Sequence, residues 1–227
     1  MTELARAAKV VVAQRYGRAP RRTIAAGVSN GGYLVRWQLE NHPELFVPRP
    51  RRPEPLWAYH AAVYWDLTQR IYREELDPAY DGALEAGTPF CAPDTPACDA
   101  DYDYATRPPA VRRAVARTSL TGRIARPMIT LHGTLDALLP IAQDSDVYAG
   151  MARQGREHLH RYYRVEGGNH VDWLYDVHPD LLRPILPCFR SAFAALEAWI
   201  AGHAPPADAT LPRPASGDLA NTRSLRG

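Results

Sequence analysis

Gly27-Val28-Ser29-Asn30-Gly31 is the stretch on which the reading of this chain turns. Arg22 to Ala26 (RTIAA) before it reads as a short buried strand. Tyr33 to Asn41 after it reads as a helix, with Leu34, Trp37 and Leu39 available to a core and Pro43 as its stop. A serine hydroxyl is a weak nucleophile until a base takes its proton and donors face the oxyanion that forms. A sharp strand-to-helix turn exposes the serine, and glycines flank it because side chains there would collide. The backbone N–H of Asn30 would supply one oxyanion donor at a helix N-terminus, where the peptide dipoles favour negative charge. A glycine-rich helix start is the plain alternative for this motif.

Working outward, the residues such a serine needs occur in a consistent order. Pro127 to Leu131 (PMITL) reads as a strand, and its exit loop HGTLDALLP (132–140) carries Asp136. Asp144 to Gln154 reads as a helix and His158 to Val165 as the next strand. The following loop, GGNHVD (167–172), presents His170. An acid one strand before a histidine, both at strand exits, places the two side chains on one sheet edge. The alternatives are a turn or helix-capping carboxylate for Asp136 and a surface histidine for His170. His132, next to a glycine at the strand end, reads as structural, and Asp172 and Asp176 as surface carboxylates or supports of the histidine loop.

The GVSNGG elbow, the HGTLDALLP loop and the GGNHVD loop resemble those of bacterial α/β-hydrolase serine esterases, near the 3-hydroxybutyrate oligomer hydrolases and the tannase/feruloyl esterase-like proteins. The resemblance extends over about Glu3 to Ile200 and is strong at the three loops. It implies Ser29 as nucleophile, Asp136 as orienting acid and His170 as general base, with a small or oligomeric carboxylic ester as substrate and no cofactor. It also implies a partial α/β-hydrolase fold: α/β, with a short, mostly parallel sheet flanked by helices and an inserted lid-like helical and loop segment. A serine peptidase of the prolyl-oligopeptidase type shares elbow and order, and an inactive fragment or binding module would also keep the elbow.

The departures concern completeness. Only 28 residues precede Ser29, room for one helix and one strand. About three core strands are legible, where the resembled fold has eight and carries a second oxyanion donor after its third. Val47 to Pro55 (VPRPRRPEP) stands where a strand is expected, and four prolines remove the donors a strand requires. The expectation is therefore an N-terminally truncated hydrolase core over 1–202, with a lid-like insertion at 47–118 and a disordered tail at 203–227 rich in proline.

Composition excludes several classes. Hydrophobic residues at 46% and charged residues at 23% are globular proportions. A net charge of +2 gives no field to recruit nucleic acid or a membrane surface. No apolar run reaches the roughly 18 residues of a membrane span. The helix expected from Glu3 to Tyr16 is amphipathic and does not read as a signal peptide. Cys91 and Cys98 bracket APDTPA and are spaced either for a local disulfide or for free thiols, with Cys188 apart. No zinc spacing is present. Asp99, Asp101 and Asp103 alternate but lack the glycine and glutamate of a calcium loop. Trp57 to Glu75 and Ala110 to Arg117 read as helices, the first rich in aromatics, fitting either a lid or ordinary packing.

Overall fold

The computed structural model describes residues 2–20, 24, 26–29, 32–33, 36, 56, 70–80, 104–155 and 157–213. Along the chain these form helix α1 (Thr2–Tyr16), α2 (Arg70–Leu76), α3 (Pro109–Thr118), strand β1 (Met128–Gly133), α4 (Ser145–Arg153), β2 (His160–Val165), α5 (Leu186–Ile200) and β3 (Ala209–Leu211). The protein is of mixed α/β class. Its three described strands make a parallel sheet in the order β1-β2-β3.

Strand periodicity sorts the side chains onto two faces. In β1 and β2, Met128 aligns with His160, Thr130 with Tyr162 and His132 with Arg164. Those even-numbered residues meet α4: Met128 packs with Ile124 and Tyr148, and Tyr162 with Ile141 and Ala149. The odd-numbered residues face α5, where Tyr163, Val165, Cys188 and Leu211 are buried together with Ile129 and Leu131 against them. Each such side chain taken out of water contributes roughly 1.5–3 kcal/mol. Helices on both faces are what a parallel sheet requires. Both strands are rich in β-branched or aromatic residues (Ile129 and Thr130, Tyr162 and Tyr163), which suits a pleated, covered surface.

The helices end where local chemistry dictates. Pro109 opens α3, where its missing N–H costs nothing, and Gly17, with φ 67°, follows α1. Asp172 fixes the start of α5 by accepting the backbone N–H groups of Ile185 and Leu186 at 2.6 and 3.2 Å. That is its role, rather than one at the surface.

Two expectations need correction. The expected disordered tail contains β3, which pairs Ala209 to Leu211 with Tyr163 to Val165. Arg183, fully buried, donates to the carbonyls of Leu211 and Pro212 at 2.9 and 2.8 Å, and Arg213 donates to those of Pro179, Asp180 and Leu181. These long-range bonds order a stretch whose composition alone signals disorder. Ile24 and Ala26 lie in no strand, and the rest of the expected Arg22–Ala26 strand falls outside the described residues. Cys91, Cys98, Asp99, Asp101, Asp103 and most of 47–103 lie there too, although Leu56 is buried against Ala137, Leu174 and Leu182. Among the described residues, no helix is long and apolar enough to cross a membrane.

Candidate active site

β1 and β2 deliver their exit loops to the same edge of the sheet, and the two backbones press together there. A Cβ placed on Gly133 would lie 2.2 Å from the Gly168 carbonyl oxygen, so only glycine allows this approach. Hydrogen bonds then lock the loops: Thr134 N–H to Val165 O at 3.0 Å, Leu135 N–H to Gly168 O at 2.9 Å, and Gly167 N–H to Thr134 Oγ1 at 3.1 Å. Asn169, buried, accepts the Ala137 N–H on Oδ1 at 2.7 Å.

This clamp brings Asp136 and His170 together, with Nδ1 of the ring 2.8 Å from Oδ2 of the carboxylate. The side chains are 4% and 8% exposed, so solvent screens the pair little. The other oxygen, Oδ1, accepts the N–H groups of Leu138 and Leu139 at 2.8 and 2.7 Å. Burial alone would raise the pKa of Asp136, but hydrogen bonds from His132 and His170 hold it well below the usual carboxylate range. An ionised carboxylate only accepts, so His170 Nδ1 carries the proton. In the neutral ring that leaves the Nε2 lone pair free. Nε2 is buried and makes no hydrogen bond among the described residues.

Ser29 has φ 55°, and among the described residues it is the one non-glycine in the left-handed region. Such a conformation costs on the order of 1–3 kcal/mol and persists only where surrounding structure holds it. Its carbonyl accepts the Tyr33 N–H at 3.1 Å, and Gly32, Tyr33 and Arg36 are helical. The Tyr33 hydroxyl donates to the Thr118 carbonyl at the end of α3. Arg36 donates to Asp144 Oδ1 at 2.8 Å and Ser145 Oγ at 2.7 Å, with its guanidinium 4.6 Å above the Tyr148 ring. The serine therefore sits exposed on a strained turn whose helix is tied to α3 and α4.

Of the expected site residues, Asp136 and His170 are in contact. Ser29 is not hydrogen-bonded to His170 Nε2, and Asn30 falls outside the described residues. His132, Asp144, Ser145, Arg36 and Asn169 are additions that sequence reasoning missed. The signals were thin: a histidine four residues before the acid, and an asparagine between a glycine pair and the histidine. No group of three or more His, Cys, Asp or Glu side chains among the described residues is arranged to hold a metal ion.

An α/β protein with an acid–histidine pair at one sheet edge is the class that fold and site define. The chain is 30% identical over 118 residues to a D-(-)-3-hydroxybutyrate oligomer hydrolase of Cupriavidus metallidurans. That alignment covers 47% of this chain and 16% of the relative, so the similarity ties the chain to a hydrolase over a small part of the latter's length. No protein-family model and no solved structure matches.

Proposed function

We propose that the protein is a serine hydrolase that cleaves carboxylic esters through an acyl-enzyme on Ser29. The observation that carries this reading is the His170–Asp136 pair, held at 2.8 Å with the proton on Nδ1 and with Nε2 making no hydrogen bond among the described residues. That is the state of a general base awaiting a hydroxyl proton. The strained, exposed turn at Ser29 supports the role of nucleophile. The similarity to a hydrolase of an oligomeric hydroxy-acid substrate supports the ester as substrate class.

Ser29 Oγ attacks the ester carbonyl carbon while His170 Nε2 takes the hydroxyl proton. Asp136 holds the imidazolium that forms, and the elbow motif assigns Asn30 as an oxyanion donor. The C–O bond to the alcohol then breaks, and the proton on Nε2 passes to the departing oxygen. A water molecule, deprotonated by the same nitrogen, attacks the acyl carbon; the bond to Ser29 Oγ breaks, Nε2 returns the proton to Oγ, and the carboxylic acid leaves. Apo geometry with a base not yet touching its nucleophile is compatible with this sequence, because such bonds tighten on substrate binding.

Turnover of p-nitrophenyl acyl esters by the chain and by Ser29→Ala tests the proposal. Ester hydrolysis that disappears in Ser29→Ala is the expected result. A preference for the matching p-nitroanilide would favour peptidase chemistry, and equal rates for the two proteins would overturn Ser29.

A further inference from the structure

His132 lies at the end of β1 on the α4 face, 7% exposed, and both of its ring nitrogens meet acceptors. Nε2 is shared between the Leu139 carbonyl at 2.9 Å and Asp136 Oδ2 at 3.0 Å, two groups that can only accept. Nδ1 lies 2.7 Å from Ser145 Oγ. That hydroxyl has one proton, which it donates to Asp144 Oδ1 at 2.8 Å, and it accepts from Arg36 Nη2 at 2.7 Å. The remaining lone pair of Ser145 faces His132, so Nδ1 must donate as well. Hydrogen-bond accounting alone makes the ring an imidazolium.

The charged groups facing it from each neighbouring element agree. Asp136 lies on the acid loop and Asp144 just before α4, while Arg36, after Ser29, is engaged by Asp144. Arg164, its register partner on β2, is paired with Asp146. Burial disfavours the charged ring, but the hydrogen bonds and charges of Asp136 and Asp144 outweigh it and push the pKa up to about 9.

We propose that His132 is a positioning residue for the acid–base pair: an imidazolium that grips the same carboxylate oxygen as His170 and couples it, through Ser145, Asp144 and Arg36, to the helix that follows Ser29. The proposal rests on the reading of Asp136 and His170 as orienting acid and base. Four donors then fill Asp136, namely two backbone N–H groups and two imidazoles, so the carboxylate cannot rotate away from His170. The cation also withdraws part of the negative charge that His170 would otherwise feel, which sets where the acidic limb of the pH–rate profile falls.

The test uses two variants. His132→Ala removes charge and donor together and lowers kcat about 10²-fold with KM near that of the unmodified chain, as expected for a misplaced catalytic group. His132→Gln keeps a donor without the charge. It recovers most of kcat, yet the acidic limb of kcat/KM moves to higher pH by roughly one to two pH units, the size of one nearby charge at an effective dielectric of about 20. A merely structural role would leave that limb in place, and an unmoved limb in folded His132→Gln overturns the proposal. Nitrogen-15 NMR of the imidazoles supplies a readout that needs no turnover. Two protonated nitrogens on His132 at pH 8 are expected, as is loss of the hydrogen-bonded His170 Nδ1 proton signal in His132→Ala, or its displacement in His132→Gln where the alanine variant does not fold. A neutral His132 at pH 8, or an unchanged His170 signal, contradicts the proposal. Failure of Ser29 to react with a fluorophosphonate would instead count against the esterase reading, leaving the NMR result to decide the role of His132.

Discussion

His132 and His160 occupy the same face of the sheet, one at the carboxyl end of β1 and the other at the amino end of β2, and they take opposite charge states. His160 is buried against Tyr148 and Tyr162, with rings 5.7 and 6.3 Å away, and its Nε2 lies 3.0 Å from Thr130 Oγ1. Burial, helped by the Arg36 charge, pushes its pKa down to about 4, so it is neutral at pH 7. His132 is as buried, yet two carboxylates keep it charged. The comparison shows that carboxylates, not depth, divide the two ends of this face. They gather at the carboxyl edge of the strands, where parallel sheets bind ligands.

Removing the carboxylate that makes the difference has the largest expected effect. Asp136→Asn leaves two imidazoles without their shared anion and permits the wrong His170 tautomer. Its ester turnover should fall on the order of 10⁴-fold, read as kcat on a p-nitrophenyl ester. Gly133→Ala breaks the same end mechanically, because the new Cβ meets the Gly168 carbonyl and the two loops must separate. A loss of about 1–3 kcal/mol in urea unfolding is expected, accompanied by lower turnover. Unchanged stability would mean that the loops do not touch as described.

The two histidines should also leave opposite marks on stability against pH. The folded pKa of His132 is raised, so its contribution is full below the unfolded value near 6.5 and is lost as pH rises through about 9. Around pH 8 it should make folding take up about one proton. The folded pKa of His160 is lowered, so the unfolded chain binds its proton first and stability falls as pH drops from about 6.5 toward 4. Melting temperatures across pH 4–10 check both arms: His132→Gln should flatten the alkaline arm and His160→Phe the acidic one. The smallest effect belongs to the half-exposed partner of Asp146 on this face. Arg164→Gln should cost about 0–1 kcal/mol, diminishing with salt, and leave both arms unchanged.

Legibility in the sequence followed the same division. Strands β1 and β2 and the helices around them were readable, because period-two and helical patterns are local and glycines mark the exits. The alignment of Asp136 with His170 was legible from order alone, since parallel strands deliver successive loops to one edge. What escaped was long-range. His132 read as structural because nothing in the local pattern shows that the β1–α4 connection folds Asp136 and Asp144 back onto its ring, and Arg36 escaped because its partners are more than a hundred residues away. β3 escaped because it has three residues in a proline-rich, polar stretch, and the Arg183 that ties it down lies far away in the sequence.

Reaction of the chain with a fluorophosphonate, followed by peptide mapping, tests the central claim most directly. One adduct is expected, on Ser29, formed rapidly near pH 8 and lost in His170→Ala. An adduct on another serine, or none on folded protein, would contradict it.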